Sequence, residues 1–363
     1  MKILMTTDTA GGVWHYALDL AEGLLKEQVQ VVLISMGPSP VPSQIEQVKK
    51  RQKRGLQFYH RSLRLEWMED PWEDVAVAAG WIRKIYDREK PDLLHFNNYA
   101  HVAMGWEVPV LLTAHSCMGS WWQSVKNEPL PPAYGQYFQT VKNSFLAADA
   151  VVFPSNALLE ACQDIYGQIN SPKVIYNGLS FTRTPAISEF SSKMPIIFSM
   201  GRLWDEAKNV ELLLRAAPYI GGEIFIAGEK GKDLECPRNV RYLGKLTRKQ
   251  VFNWLKISAI YVLPVKYEPF GLSFLEAASF QCALVGGNIP SMKEIWGESM
   301  TYIDPEDPKD LAKSCNELLH NPDLCNLKGE EAYRRGKIYS LQKKKENYLE
   351  TYTDLMHKIT API

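Results

Sequence analysis

The feature that most constrains the fold of this chain is an alternation of short apolar runs with longer segments of helical periodicity. Residues 2–6 and 29–35 are strand-like, and between them the apolar residues of 12–26 recur at helical spacing. Further short apolar runs lie at 93–96, 110–113 and 150–153. Near-continuous apolar strands separated by helices are typical of a parallel sheet that is buried on both faces. The sequence therefore predicts an α/β fold built from doubly wound parallel sheets.

A loosening of this pattern divides the chain in two. Residues 178–195 are polar and resemble a linker, after which strands and helices alternate again. The second series of elements is predicted at 196–200, 209–217, 223–227, 247–257, 261–263 and 271–280. A chain of 363 residues suggests about two domains at roughly 150 residues each. We expect Rossmann-like domains at 1–180 and 195–339, followed by a terminal helix within 340–363.

The charge balance excludes one class of partner. The chain has 41 Lys and Arg residues against 41 Asp and Glu residues, whereas a general nucleic-acid binder needs a basic footprint. No apolar run reaches the length of about 18 residues that a membrane span requires. Six cysteines without a C-x-x-C motif indicate reduced thiols, so we expect a cytoplasmic protein. The basic run 49–54 is interpreted as a solvated helix face, and the alternative is a weak peripheral contact with the inner face of the membrane.

Two loops of the first half could bind a ligand or contribute catalytic groups, because open parallel sheets bind ligands at the carboxyl ends of their strands. Gly11 and Gly12 follow the first strand and allow close approach of an anion to a helix N-terminus. They are not part of a G-x-G-x-x-G motif, which disfavours a dinucleotide site and a dehydrogenase. His115 follows the run 110–112 and can hydrogen-bond a sugar hydroxyl or transfer a proton. The alternatives without a functional role are that Gly11 and Gly12 form only a tight turn and that His115 is a core histidine with satisfied hydrogen bonds.

The second half carries the stronger signals. Arg202 and Lys208 flank one loop and could both reach a single anion. Glu268 begins the sequence E-P-F-G-L-S-F-L-E, which ends at Glu276 and follows a predicted strand. A helix that starts near Gly271 presents free N–H groups that suit a phosphate. One carboxylate can then meet a sugar ring while the other accepts hydrogen bonds from a ribose diol.

Taken together, these motifs resemble the family 4 retaining glycosyltransferases of the GT-B fold, in which two Rossmann-like domains face a central cleft. The matching segments of the second half are 201–202 with Lys208, 243–244, 268–276, and 287–290 with Glu294. Those of the first half are 11–12, 91–95, 113–115, 154–155 and 174–178. The resemblance covers nearly the whole chain and is most specific from 196 to 304. It also implies that the terminal helix crosses back to the first domain.

The resemblance implies roles for individual residues. The donor site would comprise Gly12, Arg202, Lys208, Phe270, Gly271, Leu272 and Glu276. Arg202 and Lys208 would hold the diphosphate of the donor, as would Gly12 from the first domain. The amides of residues 270–272 would support the phosphate and the sugar, and Glu276 would hold the ribose hydroxyls. Glu268 and His115 would be catalytic, with Glu268 contacting the transferred sugar and His115 near its far side.

The expected reaction is a metal-independent transfer, with retention, from a UDP-, GDP- or ADP-sugar to a hydroxyl group. The acceptor would be a glycan or a lipid-linked sugar in the biosynthesis of polysaccharides or glycoconjugates. The chain has no D-x-D motif, so we expect neither a metal nor another cofactor. Aromatic faces suit sugar rings, which makes Trp14, Trp121 and Trp122 acceptor candidates against the alternative of plain packing. The rival functions are a sugar-nucleotide epimerase, a glycan phosphorylase, and a non-catalytic sensor of sugar nucleotides.

Overall fold

The computed structural model describes residues 1–180, 193–229 and 236–360, with side chains up to residue 357. Most of the linker that we predict at 178–195 lies outside these residues. The chain divides into two compact units. The N-terminal unit comprises Met1–Gln123, Glu128–Tyr176 and Leu341–Ile363, and the C-terminal unit comprises Ser124–Asn127 and Asn177–Ser340.

The N-terminal unit is a parallel seven-stranded sheet flanked by helices. Its strands are β1 (Lys2–Asp8), β2 (Gln30–Met36), β3 (Gln57–His60), β4 (Leu93–Phe96), β5 (Val110–Thr113), β6 (Ala150–Phe153) and β7 (Pro172–Val174). Its helices are α1 (Gly12–Lys26), α2 (Pro42–Gln52), α3 (Trp72–Glu89), α4 (Met118–Lys126), which continues into the C-terminal unit, α5 (Gly135–Ala147) and α6 (Asn156–Tyr166). The strand order is β3-β2-β1-β4-β5-β6-β7, and every pairing is parallel.

The apolar runs form these strands because both faces of the sheet are buried, so that every side chain of a central strand points into the interior of the unit. All four residues of β4, β5 and β6 are buried. Helix α1 occupies the predicted residues 12–26 and buries one apolar face, which includes Ala17, Leu20 and Leu24. Removing such strands and helix faces from water is the main favourable term in folding.

A terminal helix completes the core of the N-terminal unit. Helix α13 (Leu341–Thr360) buries Tyr348, Tyr352 and Leu355 in the same cluster as strand β1 and helix α1. The two tyrosines are at most 1% exposed. The terminal helix that we predict at 340–358 is therefore present, and within the N-terminal unit it acts as a core element.

The C-terminal unit contains a second parallel sheet. Its strands are β8 (Met194–Arg202), β9 (Ile224–Glu229), β10 (Val240–Gly244), β11 (Ser258–Leu263), β12 (Ala283–Gly287) and β13 (Thr301–Ile303). Its helices are α7 (Val210–Ala216), α8 (Arg248–Ile257), α9 (Leu272–Ser279), α10 (Pro290–Trp296), α11 (Pro308–His320) and α12 (Pro322–Gly336). The strand order is β10-β9-β8-β11-β12-β13, again with parallel pairings throughout.

Both sheets follow the Rossmann order, in which the first strand lies between the second and the fourth. The switch points lie between β1 and β4 in one unit and between β8 and β11 in the other. Ligands of open α/β sheets bind outside the carboxyl ends of the strands at such points. The structure confirms the predicted fold class, and its switch points lie at the loops that the sequence motifs indicate.

In the described part of the chain, no helix combines the length and the apolar character needed to cross a membrane.

Candidate active site

Arg202 ends strand β8 at the switch point of the C-terminal unit. Its Nη2 and Nε lie 2.7 Å and 3.2 Å from Oδ2 of the buried Asp205, while Oδ1 of Asp205 accepts a hydrogen bond from the amide of Ala207. The aspartate thus fixes one edge of the guanidinium group. The Arg202 side chain is 48% exposed, so further N–H groups remain accessible to an anion.

Lys208 is placed by a short turn that the partly buried side-chain amide of Asn209 anchors. Asn209 adopts a left-handed conformation with φ of 54°, and its Nδ2 donates to the carbonyls of Pro264 and Pro305. The side chain of Lys208 then reaches the loop that follows strand β11. Its Nζ lies 2.7 Å from Oε2 of Glu268, and each of these two side chains is only 15% exposed.

The Glu268 carboxylate lies between this ammonium group and the start of helix α9. Its Oε1 accepts hydrogen bonds from the amides of Gly271 at 3.0 Å and Phe270 at 3.5 Å. The Ser291 hydroxyl donates to the Glu268 carbonyl and fixes the backbone. The amides of residues 270 and 271, which we expect to hold a phosphate, therefore donate to Glu268 in this structure. A substrate anion would have to displace the Glu268 carboxylate from these N–H groups, or share the N–H groups with it.

Gly271 is required by the geometry of this loop. Its φ of 87° lies in the left-handed region, and a Cβ at this position would lie 2.9 Å from Cδ2 of Phe274. The turn at Gly271 lets helix α9 begin at Leu272 directly beyond the Glu268 carboxylate. This is the physical reason for a glycine within the E-P-F-G-L sequence.

Glu276 lies on helix α9 and is also paired. Its Oε1 is 3.7 Å from Nε of Arg248, the first residue of helix α8, and its side chain is 21% exposed. The sequence analysis does not single out Arg248. Glu276 is thus a partly exposed carboxylate of the C-terminal unit. Its contact with the ribose stays a prediction.

The first loop of the N-terminal unit is organised by an aspartate. Oδ1 of Asp8 accepts hydrogen bonds from the amides of Ala10 and Gly11, at 2.8 Å and 3.1 Å. A Cβ at Gly12 would have no described atom within 4 Å. The packing of the loop therefore does not require a glycine at position 12.

His115 lies in the loop after strand β5 and is half-buried. Its Nε2 donates to Oδ1 of Asn97, 2.7 Å away, and the Tyr16 ring packs edge-on against the imidazole with a centroid distance of 4.4 Å. Burial, and secondarily the positive charge of Lys344, lower the pKa of His115 to about 3. The imidazole is therefore neutral at physiological pH, which disfavours a role as a charged general acid.

The three tryptophans proposed for the acceptor differ in environment. Trp14 is only 1% exposed, its Nε1 donates to Gln47 and its ring packs on Phe58, so it offers no face to a sugar. The structure thus removes Trp14 from the candidates, because the core of the N-terminal unit accounts for it. Trp121 and Trp122 are half-buried on helix α4 and pack against each other. They remain acceptor candidates.

A buried polar network is the main feature of the N-terminal unit that the sequence analysis did not find. His95 forms hydrogen bonds of 2.7 Å with the Tyr352 hydroxyl and 2.8 Å with the Thr113 hydroxyl. The Tyr348 hydroxyl bonds to Thr113 and to Tyr16. His95 and Thr113 lie in the matching segments 91–95 and 113–115. Two of the partners, Tyr348 and Tyr352, come from the terminal helix, more than 230 residues away in the sequence.

Among residues 1–180, 193–229 and 236–360, no group of three or more His, Cys, Asp and Glu side chains is arranged to hold a metal ion. The expectation of a reaction without metal or cofactor stays a prediction.

Comparisons with known proteins now complement this geometry. Residues 10–183 match the family model described as Glycosyltransferase Family 4, and residues 180–335 match the model described as Glycosyl transferases group 1. The two models adjoin and together span most of the chain.

Two relatives illustrate the similarity of this chain to other protein sequences. A glycogen synthase of Mycobacterium tuberculosis is 26% identical over 274 residues, which cover 68% of this chain and 64% of the relative's length. An uncharacterized glycosyltransferase of Methanocaldococcus jannaschii is 24% identical over 363 residues, which cover 88% of this chain and 89% of the relative.

Two solved structures illustrate the fold that this chain shares with known proteins. A sucrose-phosphate synthase from Thermosynechococcus elongatus aligns over 99% of this chain and 100% of its own, with a TM-score of 0.82 and 16% identity. Anabaena HepE in complex with UDP-glucose aligns over 98% of this chain and 100% of its own, with a TM-score of 0.76 and 15% identity. From these two family models, which together match residues 10–335, we conclude that the chain belongs to the glycosyltransferases that they describe.

Proposed function

We propose that the protein is a retaining glycosyltransferase that moves a hexosyl group from a nucleoside diphosphate sugar to a hydroxyl group of a glycan or lipid-linked acceptor. The observation that carries this proposal is the position of Glu268. Its carboxylate lies between the Lys208 ammonium group and the amides at the start of helix α9, at a switch point of a Rossmann-type sheet.

The charges of this site suit the departure of a diphosphate. Breaking the bond between sugar and phosphate builds negative charge on the leaving group, and preorganised cations and N–H donors lower that barrier. Lys208 and the partly exposed Arg202 supply cations, and the N-terminus of helix α9 supplies N–H groups. The Glu268 carboxylate, next to these groups, would meet the transferred sugar, and Glu276 the ribose diol.

We infer a transfer on one face of the sugar. The bond from the anomeric carbon to the phosphate oxygen breaks, and its electron pair leaves with the nucleoside diphosphate. The acceptor oxygen forms the new bond on the same face, and its proton passes to an oxygen of the leaving phosphate. The products are the glycoside, with retained configuration, and the nucleoside diphosphate. No covalent intermediate with the enzyme is needed in this scheme.

The donor can be identified by thermal shift. A ligand that binds only the folded state stabilises it by RT ln(1 + [L]/Kd), which is about 2.7 kcal/mol at a hundredfold excess over Kd. We expect one among UDP-, GDP- and ADP-sugars to raise the melting temperature by several degrees. UDP-glucose is the first probe because HepE, a protein with the same fold, is known in complex with it. Glucose without the nucleotide is the control.

Product analysis separates the proposal from its rivals. Release of nucleoside diphosphate that depends on an added glycan or glycolipid supports transfer. Conversion of the nucleotide sugar to its epimer without acceptor, or a requirement for inorganic phosphate, would contradict the proposal in favour of an epimerase or a phosphorylase. Binding without turnover across an acceptor panel would favour a sensor.

The proposed role of Gly12 gives a prediction with a simple control. We expect Gly12→Ala to leave the melting temperature nearly unchanged, because the added Cβ meets no described atom within 4 Å. The same methyl group should hinder a diphosphate that approaches the backbone, so KM for the nucleotide sugar should rise roughly tenfold or more, about 1.4 kcal/mol of binding. Equal KM values for the variant and the wild type would argue against a donor contact at this position.

We also infer that the basic run 49–54 is a solvated helix face and does not bind membranes. Arg51 and Arg54 both contact Glu22, and Lys50 is paired with Glu46, so three of the five cations are paired with carboxylates. We expect little or no co-flotation of the protein with vesicles that contain anionic phosphatidylserine at low salt. Strong flotation that Lys49→Glu and Lys53→Glu abolish would overturn this interpretation.

A further inference from the structure

Two cysteines of the N-terminal unit lie in direct contact. Cys117 ends the loop between strand β5 and helix α4, and Cys162 lies on helix α6. Their Sγ atoms are 3.8 Å apart, and both residues are buried. A disulfide bond is about 2.05 Å long, so the two sulfur atoms would have to approach each other by roughly 1.8 Å to form one.

The start of helix α4 determines the chemistry of one of the two sulfur atoms. Cys117 precedes the first helical residue, and its Sγ accepts a hydrogen bond of 3.3 Å from the amide of Ser120. The Ser120 hydroxyl oxygen lies 3.0 Å from the same sulfur atom. The N–H groups at a helix N-terminus stabilise negative charge, and for a cysteine at this position they favour the thiolate over the thiol.

The two cysteines differ in their tendency to ionise. Burial by itself would raise the pKa of the Cys117 thiol, but hydrogen bonds from Cys162 and Ser120 lower it to about 6. The hydrogen bond to Cys117 and burial raise the pKa of Cys162 well above its usual value. At neutral pH the pair therefore holds a thiolate on Cys117 and, beside it, a thiol on Cys162 that donates to it. A thiolate next to a second cysteine that can resolve its oxidised form is typical of redox-sensing sites.

Burial limits the oxidants that can reach this pair. Cys117 is 3% exposed and Cys162 is 0% exposed. A bulky disulfide such as oxidised glutathione reacts only by direct contact with the attacking sulfur atom, which the surrounding side chains hinder. Hydrogen peroxide is little larger than water, so small local openings of the structure are enough to admit it.

We propose that Cys117 and Cys162 are an oxidation site, at which hydrogen peroxide converts the two thiol groups into a reversible disulfide. The bond would cross-link the start of helix α4 to helix α6, 45 positions away in the sequence. Both helix segments belong to the N-terminal unit, and the oxidation is independent of the proposed glycosyl transfer.

The oxidation takes place in two steps. The Cys117 thiolate first attacks one oxygen of the peroxide, the O–O bond breaks, and hydroxide leaves, which gives a sulfenic acid on Cys117. The Cys162 sulfur atom then attacks the sulfur of Cys117, the S–O bond breaks, and water leaves with the proton of Cys162. The hydroxide takes up the proton that Cys117 released when it ionised. Overall, the two sulfur atoms lose two electrons to one peroxide molecule, and two water molecules form.

Peptide mapping of the wild-type full chain tests this site directly. Lys126 and Lys142 separate the two cysteines, so trypsin leaves them on different peptides. The protein is reduced, freed of reductant and treated with a small excess of hydrogen peroxide. We expect a cross-link between these two peptides that dithiothreitol cleaves again. Absence of this cross-link, or a disulfide from Cys117 to another cysteine in its place, would overturn the proposal.

Single variants identify the attacking sulfur atom. In Cys162→Ala, the sulfenic acid on Cys117 should persist and be trapped by dimedone. In Cys117→Ala, dimedone should label Cys162 at least roughly tenfold more slowly, because a thiol is a much weaker nucleophile than a thiolate. Cys315→Ala is the matched control, because Cys315 is equally buried on helix α11, and its cross-link should form as in the wild type. Equal labelling of the two remaining cysteines would overturn the assignment of Cys117 as the attacking group.

Oxidised glutathione tests whether burial selects the oxidant. It should form a mixed disulfide with the exposed Cys236 at least roughly tenfold faster than with Cys117, although the helix N-terminus favours the thiolate of Cys117. Mass spectrometry of the tryptic peptides measures both rates in the same sample of wild-type protein. Equal rates at the two cysteines would overturn the restriction of the site to a small oxidant.

Discussion

Replacing Glu268 with alanine is expected to lower the transfer rate by at least roughly a hundredfold. The site would lose a negative group beside the sugar, and loss of one preorganised electrostatic contact of this kind typically costs about 3 kcal/mol of transition-state stabilisation. The variant also leaves the mostly buried Lys208 ammonium group without its carboxylate and the Gly271 amide without its acceptor. Steady-state release of nucleoside diphosphate with the identified donor measures the effect.

Two further variants separate the charge of Glu268 from its shape. Glu268→Gln keeps an oxygen for the Gly271 amide but replaces the oxygen that faces Lys208 with an N–H donor, so it should disturb the loop less than Glu268→Ala and still lose most of the activity. Glu306→Gln is the matched control, because Glu306 is exposed and also pairs with a lysine of this loop. That lysine, Lys266, lies two residues before Glu268. Full turnover in Glu268→Gln, or an equal loss in Glu306→Gln, would contradict the assigned role.

Replacing Tyr352 with alanine is expected to destabilise the N-terminal unit more than any surface change on the same helix. The side chain is fully buried, and truncation of a large buried aromatic residue costs about 3–5 kcal/mol. The His95 imidazole also loses the hydroxyl partner at 2.7 Å. At about 2–4 °C per kcal/mol for a unit of this size, the melting transition of the N-terminal unit should fall by about 6–20 °C.

Tyr352→Phe divides this effect into packing and hydrogen bonding. It retains the ring and removes the hydroxyl, so its cost should be about 1–3 kcal/mol, the penalty for leaving a buried group unsatisfied. Glu350→Ala is the control, because this residue is exposed on the same helix. Differential scanning calorimetry is the suitable measurement, since two units can melt separately. Equal melting of Tyr352→Ala and Glu350→Ala would mean that helix α13 does not stabilise the core.

The sequence was sufficient for the fold because its local patterns agree with the buried environment of each element. Helix α1 spans the predicted residues, and helix α9 begins one residue after the predicted start at Gly271. Strand β8, in contrast, extends to Met194 and Arg202, beyond the apolar run 196–200. Pairing with neighbouring strands extends a strand into polar residues that have no periodic signal of their own.

The site could be predicted only in part. The motif residues Lys208 and Glu268 are 60 positions apart, and their 2.7 Å contact depends on how strands β8 and β11 are paired. The burial of Trp14, which agrees with the alternative of plain packing, could not be predicted because an aromatic residue beside a glycine-rich loop gives no sign of it. Asn97 was missed because an asparagine after a strand is common in loops, and only the structure shows that it contacts both Thr6 and His115.

The division of the N-terminal unit along the chain has a consequence for biosynthesis. Domains usually fold in order as they leave the ribosome. Here Tyr348, Tyr352 and Leu355 are translated after all of residues 177–340, so the nascent N-terminal unit lacks part of its interior until helix α13 has been synthesised. The C-terminal unit, whose residues are almost continuous, can fold first. Until helix α13 is synthesised, the apolar surface that it later covers can bind chaperones or aggregate.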